Sequence, residues 1–383
     1  MRRKRLLMIG PGYGHNIIPI IEQFNRQTLF DVDFLCHSFN LPEDDYENIN
    51  FIPFPKVRRS DLVSCIKYIL FLLKYSIFGK RYNVLLIQGE IGIFLLFLQI
   101  FVKAKTKIFV PWSIDVYNLS QTKTLEGRII RQIFIRSDYI QVNWFSSKEK
   151  IEKLFPNSKT LMFFWGLNDS FFIPPVNVIE SDFVRNFLSG ISDQKIIVFW
   201  PRSIITCHRQ DLVVEALALI KKESPKILIN FTLYLWPGNV EDKIFRAKIE
   251  KIILNTGIDD IVKIVDHPFV SYNDIRIIEN RSNFFIQISE QDGLSTFIHE
   301  MLLQKKEIIL SKTPHYKYLN DYFDLKLEFV DNDINAIAAA IKNKLALTGT
   351  NDNDILEYRK NIIINNFNFS KNYTQFIEHI HSL

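Results

Sequence analysis

Short apolar runs recur along this chain, each closed by a turn-forming residue or a charge: RLLMIG, VDFLCHS, NVLLIQG, KIFVPWS, YIQVNW and TLMFFWG, several of them separated by segments of helical pattern. A strand that is apolar on both faces must be covered on both faces. The alternation with helices therefore predicts a parallel sheet built from strand–helix–strand units. A second series, KIIVFW, NFTLYLW, IVKIVD, NFFIQIS and KEIILS, follows the linker-like stretch IPPVNVIESDF at 173–183. At 383 residues the chain has length for about two domains. The predicted class is α/β, with two doubly wound sheets in tandem. The boundaries read as a first domain over 1–172, a linker over 173–194, a second domain over 195–348, and C-terminal helices over 349–383 that pack back toward the first domain. NDND at 351–354 reads as the cap of a C-terminal helix.

Charge narrows the partners. Forty-seven basic against 42 acidic residues leave a net charge of +5, which gives no general affinity for nucleic acid. The excess is concentrated between Lys56 and Arg81, where Lys56, Arg58, Arg59, Lys67, Lys74, Lys80 and Arg81 face the single acid Asp61 around LVSCIKYILFLLKYSIF. Two readings fit that segment: a helix laying its apolar face on an anionic cytoplasmic membrane surface, or a core helix with snorkelling lysines. The other apolar run, Ile91 to Val102, has about half the length a bilayer needs and reads as a buried helix. Cys36, Cys65 and Cys207 are widely spaced and form no C-x-x-C pair, as expected of reduced cytoplasmic thiols. The basic start MRRKRLLMIGPGYGHN breaks into Gly and Pro too soon for a signal peptide, so a cytoplasmic protein is expected.

In doubly wound folds ligands bind beyond the carboxyl ends of the strands. After the first strand, Gly10, Gly12 and Gly14 let the backbone turn and approach a ligand before a helix begins near Asn16, whose first amides can face an anion. The spacing is not the dinucleotide fingerprint G-x-G-x-x-G. His15 in that turn is either a general base near neutral pH or a structural residue. VPWSIDVYN brings Asp115 to another strand end, as an acceptor for a sugar hydroxyl or as a helix cap. In the second half, WPRSIITCHRQDLVVEALALI places Arg202 at a strand end, with His208 and Arg209 at the start of a helix whose core positions are Leu212, Val213, Ala216, Leu217 and Ile220. Two guanidiniums beside a helix start suit a diphosphate. SEQDGLSTFIHEM then puts Asp292 in a turn and Glu300 on the helix LSTFIHEMLLQ, at the flank of a stripe formed by Leu294, Phe297, Ile298, Met301 and Leu302. Each acid also has an ordinary reading, Asp292 as N-cap and Glu300 as a solvated helix residue.

These segments together resemble GT-B-fold glycosyltransferases of the family-4 kind. Two acids separated by seven residues, usually both Glu, mark that family's second domain; here they are Asp292, GLSTFIH and Glu300, followed by Met301. FFWGLNDSFF at 163–172 is similar to the segment closing the family's first domain, PRSIITCHRQDLVVEAL to its R-x-x-x-x-K-G segment, and VPWSIDVY to its H-G-x-D or W-G-x-D loop. The resemblance implies two Rossmann-like domains facing each other across a cleft, and transfer of a sugar from a nucleotide-sugar to a hydroxyl with retention. It implies that Arg202, Arg209 and His208, with the amides of Gly293, Leu294 and Ser295, meet the diphosphate. Glu300 would hold the ribose and Asp292 would touch the donor sugar. No metal and no cofactor are expected, because cations and a helix dipole stabilise the leaving group. Trp112 stands where the family often has His, leaving Asp115 as the catalytic candidate of that loop. GYGHNIIP also resembles the G-H-x-x-P start of inverting family-1 enzymes, which would make His15 a base and invert the product. The implied acceptor is a glycan, lipid-linked and of the bacterial surface, O-antigen or capsule type. A lectin-like or scaffold protein that keeps the fold without the chemistry is the competing class.

Overall fold

In the computed structural model, residues 3–10, 17–36, 46–53, 70–71, 79–88, 93–111, 124–172, 181–192, 194–236, 242–265, 272–290, 292, 295–347 and 352–383 are described. The chain divides into two compact units, Met1–Asp169 with Asn368–Leu383, and Ser170–Phe367.

The first unit is built on a seven-stranded parallel sheet: β1 (Lys4–Ile9), β2 (Phe30–Cys36), β3 (Ile49–Pro53), β4 (Tyr82–Gln88), β5 (Ala104–Val110), β6 (Tyr139–Val142) and β7 (Lys159–Met162), in the order β3-β2-β1-β4-β5-β6-β7. Alternating residues of the central strands serve two separate cores. Leu6, Met8, Val84 and Leu86 pack with helices Ile17–Gln27 and Phe369–Ser382 on one face; Leu7, Ile9, Leu85 and Ile87 pack with helices Ile93–Phe101, Leu125–Ile135 and Phe145–Leu154 on the other. The last helix of the chain thus completes the first sheet. Tyr373, Phe376, Ile377 and Ile380 are buried there, and Ser370 Oγ donates to Asp169 at 2.7 Å. Asp33 of β2 lies within its strand and accepts from Tyr82 Oη at 2.8 Å, Asn50 at 2.7 Å and Lys80 at 3.2 Å, a structural role.

One expectation is corrected. The apolar run at 91–102 does form a helix, but it is not buried all round: Leu95 and Leu98 face the sheet, while Phe97, Ile100 and Phe101 are 39%, 43% and 46% exposed. A helix on a sheet offers only one side to it, and a run apolar at every position does not say which. The single polar side chain of the helix, Gln99, is on the buried side, where its Nε2 donates to Ile133 O (3.0 Å) and Ser137 Oγ (2.8 Å). Of the basic stretch 56–81, only 70–71 and 79–81 are described, so the helix expected there lies outside the described residues.

The second unit carries β8 (Ile196–Trp200), β9 (Phe231–Leu235) and β10 (Val262–Ile264) as one parallel sheet in the order β10-β9-β8, and β11 (Phe284–Gln287), β12 (Glu307–Ser311) and β13 (Glu328–Val330) as another in the order β11-β12-β13. Asn283, just before β11, joins them: its N–H donates to Ile197 O and its Oδ1 accepts from Ile197 N, both at 2.8 Å. From β8 the chain proceeds outward one way and from β11 the other, which makes β8/β11 the topological switch point. Helix Gln210–Glu223, after β8, buries Leu212, Val213, Ala216, Leu217 and Ile220, the positions its periodicity marks. Asp352 caps helix Asn353–Asn366 by accepting from Asp354 N and Ile355 N, as NDND implies. After β11 the helix spans Thr296–Leu303 and begins later than Leu294, because Ser295 takes the extended conformation of an N-cap.

Candidate functional site

The segments after β8 and β11 meet at the switch point. Beyond β8 the chain runs through Pro201 and Arg202 into a 3-10 turn, Thr206–His208, which ends on Arg209. Arg209 has φ 48° and ψ 37°, a left-handed conformation that costs a side-chain-bearing residue about 1 kcal/mol. The backbone knits the two segments together where Glu290 N donates to Cys207 O at 3.0 Å. Ser311 Oγ holds Ser289 N at 2.9 Å, and Asn332 Nδ2 donates to Ser289 O at 3.3 Å.

Arg202 is the centre of the cluster. Its Nη2 reaches both oxygens of Asp292, at 3.1 and 3.2 Å, and His208 Nε2 at 3.0 Å; its Nη1 donates to Ser295 Oγ at 2.9 Å. A guanidinium is donor only, so His208 Nε2 must accept, and the ring proton sits on Nδ1, which donates to Ser203 O at 2.8 Å. Burial and then the Arg202 charge hold the His208 pKa below its ordinary value, which keeps the ring in this neutral form. Ser295 is spent on Arg202, and it makes no capping bond to its own helix. Arg202 Nε is buried and has no hydrogen-bond partner among the described residues.

Asp292 is held from three directions. Besides Arg202 it accepts from Tyr316 Oη at 2.6 Å and Gln287 Nε2 at 3.1 Å, and its side chain is 10% exposed against 26% for Arg202. Burial and then the Asp292 charge push the Tyr316 phenol well above its ordinary pKa, so it remains a donor. Burial, followed by the same carboxylate, also raises the Cys207 thiol.

Arg209 is engaged separately. Its Nε donates to Asp211 at 3.1 Å and its Nη1 pairs with Glu290. Asp211 also accepts from Lys248 at 2.5 Å; burial pushes its pKa up, but the Lys248 and Arg209 hydrogen bonds outweigh burial and hold it low. The charges therefore fall into two groups: the pair Arg202–Asp292, and the chain Glu290–Arg209–Asp211–Lys248, whose last member comes from helix Lys243–Thr256.

Glu300 has different company. It is buried rather than solvated, and so is its neighbour His299. Glu279, on helix Tyr272–Arg281, is buried and has its pKa raised well above the ordinary value, first by burial and then by the charge of Glu300; Gln304 Nε2 donates to it at 3.3 Å. His299 stacks on Phe367 with ring centroids 4.1 Å apart, and burial lowers its pKa to about 3.

The structure thus brings Arg202, His208, Asp292 and Ser295 into direct contact and places Arg209 on the same turn. Gly293, Leu294, Gly14, His15, Trp112 and Asp115 lie outside the described residues. Sequence reasoning missed Glu290, Asp211, Gln287 and Tyr316. Asp211 stood two residues from Arg209 and so signalled itself as an acid beside a cation; Glu290 has no cation near it in the sequence, Gln287 sits inside a strand and Tyr316 on a later helix, with no local signal.

Compared by sequence, the chain matches no protein-family model and no curated protein. By structure it is similar to HepE from Anabaena in complex with UDP, at 13% identity and TM-score 0.72 over 99% of this chain and 100% of that one; HepE is also known with UDP-glucose, at 14% identity and TM-score 0.73 over both whole chains. It is similar as well to a glycosyltransferase from Rickettsia africae (15% identity, TM-score 0.72, covering 100% and 99%) and to sucrose-phosphate synthase from Thermosynechococcus elongatus (15%, 0.69, covering 99% of each). These likenesses establish the fold: the chain has the GT-B fold of two Rossmann-like α/β domains.

Proposed function

We propose that the protein is a glycosyltransferase that moves a sugar from a nucleotide-sugar, held by its second unit, to a hydroxyl acceptor. The observation that carries this reading is the meeting of Arg202 with Asp292 and Ser295 at the β8/β11 switch point, where doubly wound folds take their ligands. A diphosphate entering there offers Arg202 and Arg209 an anion in exchange for Asp292 and Glu290, and a guanidinium can meet phosphate oxygens by two parallel charge-assisted hydrogen bonds. The UDP and UDP-glucose bound by HepE support a uridine nucleotide as donor. Glu300 is assigned to the ribose and Asp292 to the donor sugar, with Gly293, Leu294 and Ser295 amides on the diphosphate. The leaving group is stabilised by protein cations and a helix start without a metal.

Retention is preferred to inversion because the second-domain segment is the longer of the two resemblances. It leaves Asp115 as the catalytic candidate of the first unit and His15 as the alternative base. The acceptor is assigned as a lipid-linked glycan, reached at the inner face of the membrane, with the basic stretch 56–81 contributing to docking. Incubating the purified protein with a panel of nucleotide-sugars and measuring sugar release tests the reading. At least one donor should be hydrolysed, and Glu300→Ala should abolish that activity. Reading the anomeric configuration of a transferred sugar by NMR then separates retention from inversion.

One observation favours a second reading. Each site arginine is already compensated by a carboxylate, which suits a chain that keeps the GT-B fold as a glycan-binding module. Absence of hydrolysis for every donor, together with glycan binding, would support it.

A further inference from the structure

Helix Ile93–Phe101 buries Leu95 and Leu98 against the sheet but is apolar on its outer face as well. Its one polar side chain, Gln99, is buried and bonded to Ile133 O and Ser137, while Phe97, Ile100 and Phe101 are exposed. These three occupy positions i, i+3 and i+4 and so form one outward face. Phe97 and Phe101 are stacked, with ring centroids 6.0 Å apart and an interplanar angle of 8°. The helix contains no charge, and from Ile93 to Val110 the only charged residues are Lys103, Lys105 and Lys107. The adjoining helix Leu125–Ile135 shares the same core and adds exposed Ile135, Arg128 and, at its end, Arg136. Lys103, at the other helix end, is exposed too.

Exposed aromatic side chains, with exposed Lys103 just beyond their helix, Arg128 and Arg136 on the adjoining one, and the nearby acid Asp138 accepting from Lys107 N, match the boundary of an anionic bilayer, where rings enter the acyl region and Lys and Arg stay with the headgroups. We propose that the outer face of helix Ile93–Phe101, with Lys103 and Arg136 at its rim, docks the first unit on an anionic lipid surface. Charge complementarity selects this occupant: two copies joined across the patch would set the same cations against each other. The inference deepens the lipid-borne acceptor proposed above and rests on it for its biological sense. It is carried by residues outside 56–81, and vesicles without acceptor test it apart from sugar transfer.

The test is flotation of the full chain with phosphatidylcholine vesicles and with vesicles containing about 30% phosphatidylglycerol. The protein should float with the anionic vesicles. The triple variant Phe97→Ser, Ile100→Ser, Phe101→Ser should lose at least about tenfold in partitioning, with the helical circular-dichroism signal and a cooperative thermal transition retained. The double variant Lys103→Glu, Arg136→Glu should lose binding to anionic vesicles selectively. An unmodified protein that stays in the aqueous fraction with both vesicle types overturns the proposal. So does a triple variant that floats as the parent does, or a dimer in sedimentation velocity that the triple variant dissolves. If vesicle binding fails while sugar transfer to a soluble acceptor is retained, the docking face is wrong and the transferase reading stands.

Discussion

Asp292 and Glu300 bracket one motif, and their surroundings are opposite in sign. Asp292 is met by a guanidinium, a phenol and an amide, all donors. Glu300 is buried within electrostatic reach of a second carboxylate, Glu279, whose pKa is raised well above its ordinary value, first by burial and then by the Glu300 charge. The two acids of one motif are therefore two different devices. One is ringed by hydrogen-bond donors, and the other lies beside a second buried acid whose charged form burial and the Glu300 charge both disfavour.

The contrast is most strongly tested by Arg202→Ala. It removes the cation from a carboxylate that is nearly out of water, and it strands His208 Nε2 and Ser295 as well. Urea denaturation should show a loss of about 3 kcal/mol. A loss close to zero would mean that Asp292 is not dependent on its cation. At the Glu300 end the largest effect is that of pH on His299. The folded-state pKa of His299 is about 3 and lies below its ordinary 6.5, so the stability it contributes is complete above pH 6.5 and is lost as pH falls through that window toward 3. Between pH 6.5 and pH 5 this amounts to about 2 kcal/mol as an upper value, and His299→Phe should flatten the pH dependence of the denaturation midpoint.

Smaller effects follow. Tyr316→Phe deletes one hydrogen bond to Asp292 and should cost about 1.5 kcal/mol in urea denaturation at pH 7, with the fold retained. Glu279→Gln should change stability in the opposite direction. An acid whose folded pKa is raised loses stabilisation as pH rises above its ordinary 4.5. The variant should therefore be stabilised relative to the parent at pH 8, and by less at pH 5, in urea denaturation at the two pH values. If Asp292→Asn and Glu279→Gln shifted stability in the same direction, the two acids would not be the opposites described.

The fold was legible where local pattern and burial coincide. β8, β11 and β12 fall on apolar runs, and helix Gln210–Glu223 buries the stripe its spacing marks, since both follow from periodicity alone. Arg202 and Asp292 were legible as site residues because each lies in the segment just after a strand, two residues beyond β8 and five beyond β11. Their pairing was not legible, because it depends on β11 lying beside β8 rather than beside β10, a fact of topology. Glu300 was expected at the flank of its helix and is buried, because a neighbouring helix contributes Glu279 where the sequence suggests open solvent. For helix Ile93–Phe101 apolarity was visible but its direction was not, since the direction is set by the carbonyl and hydroxyl that receive Gln99.

Calorimetric titration of UDP into the intact protein and into the Arg202→Ala variant tests the donor site most directly. The parent should bind UDP, and the variant, with unchanged UDP concentration range, should bind at least about tenfold more weakly because a charge-assisted phosphate contact is gone. Equal UDP affinity in the two proteins would place any nucleotide site away from the β8/β11 switch point, and no binding of any nucleoside diphosphate by the parent would contradict a nucleotide-sugar donor altogether.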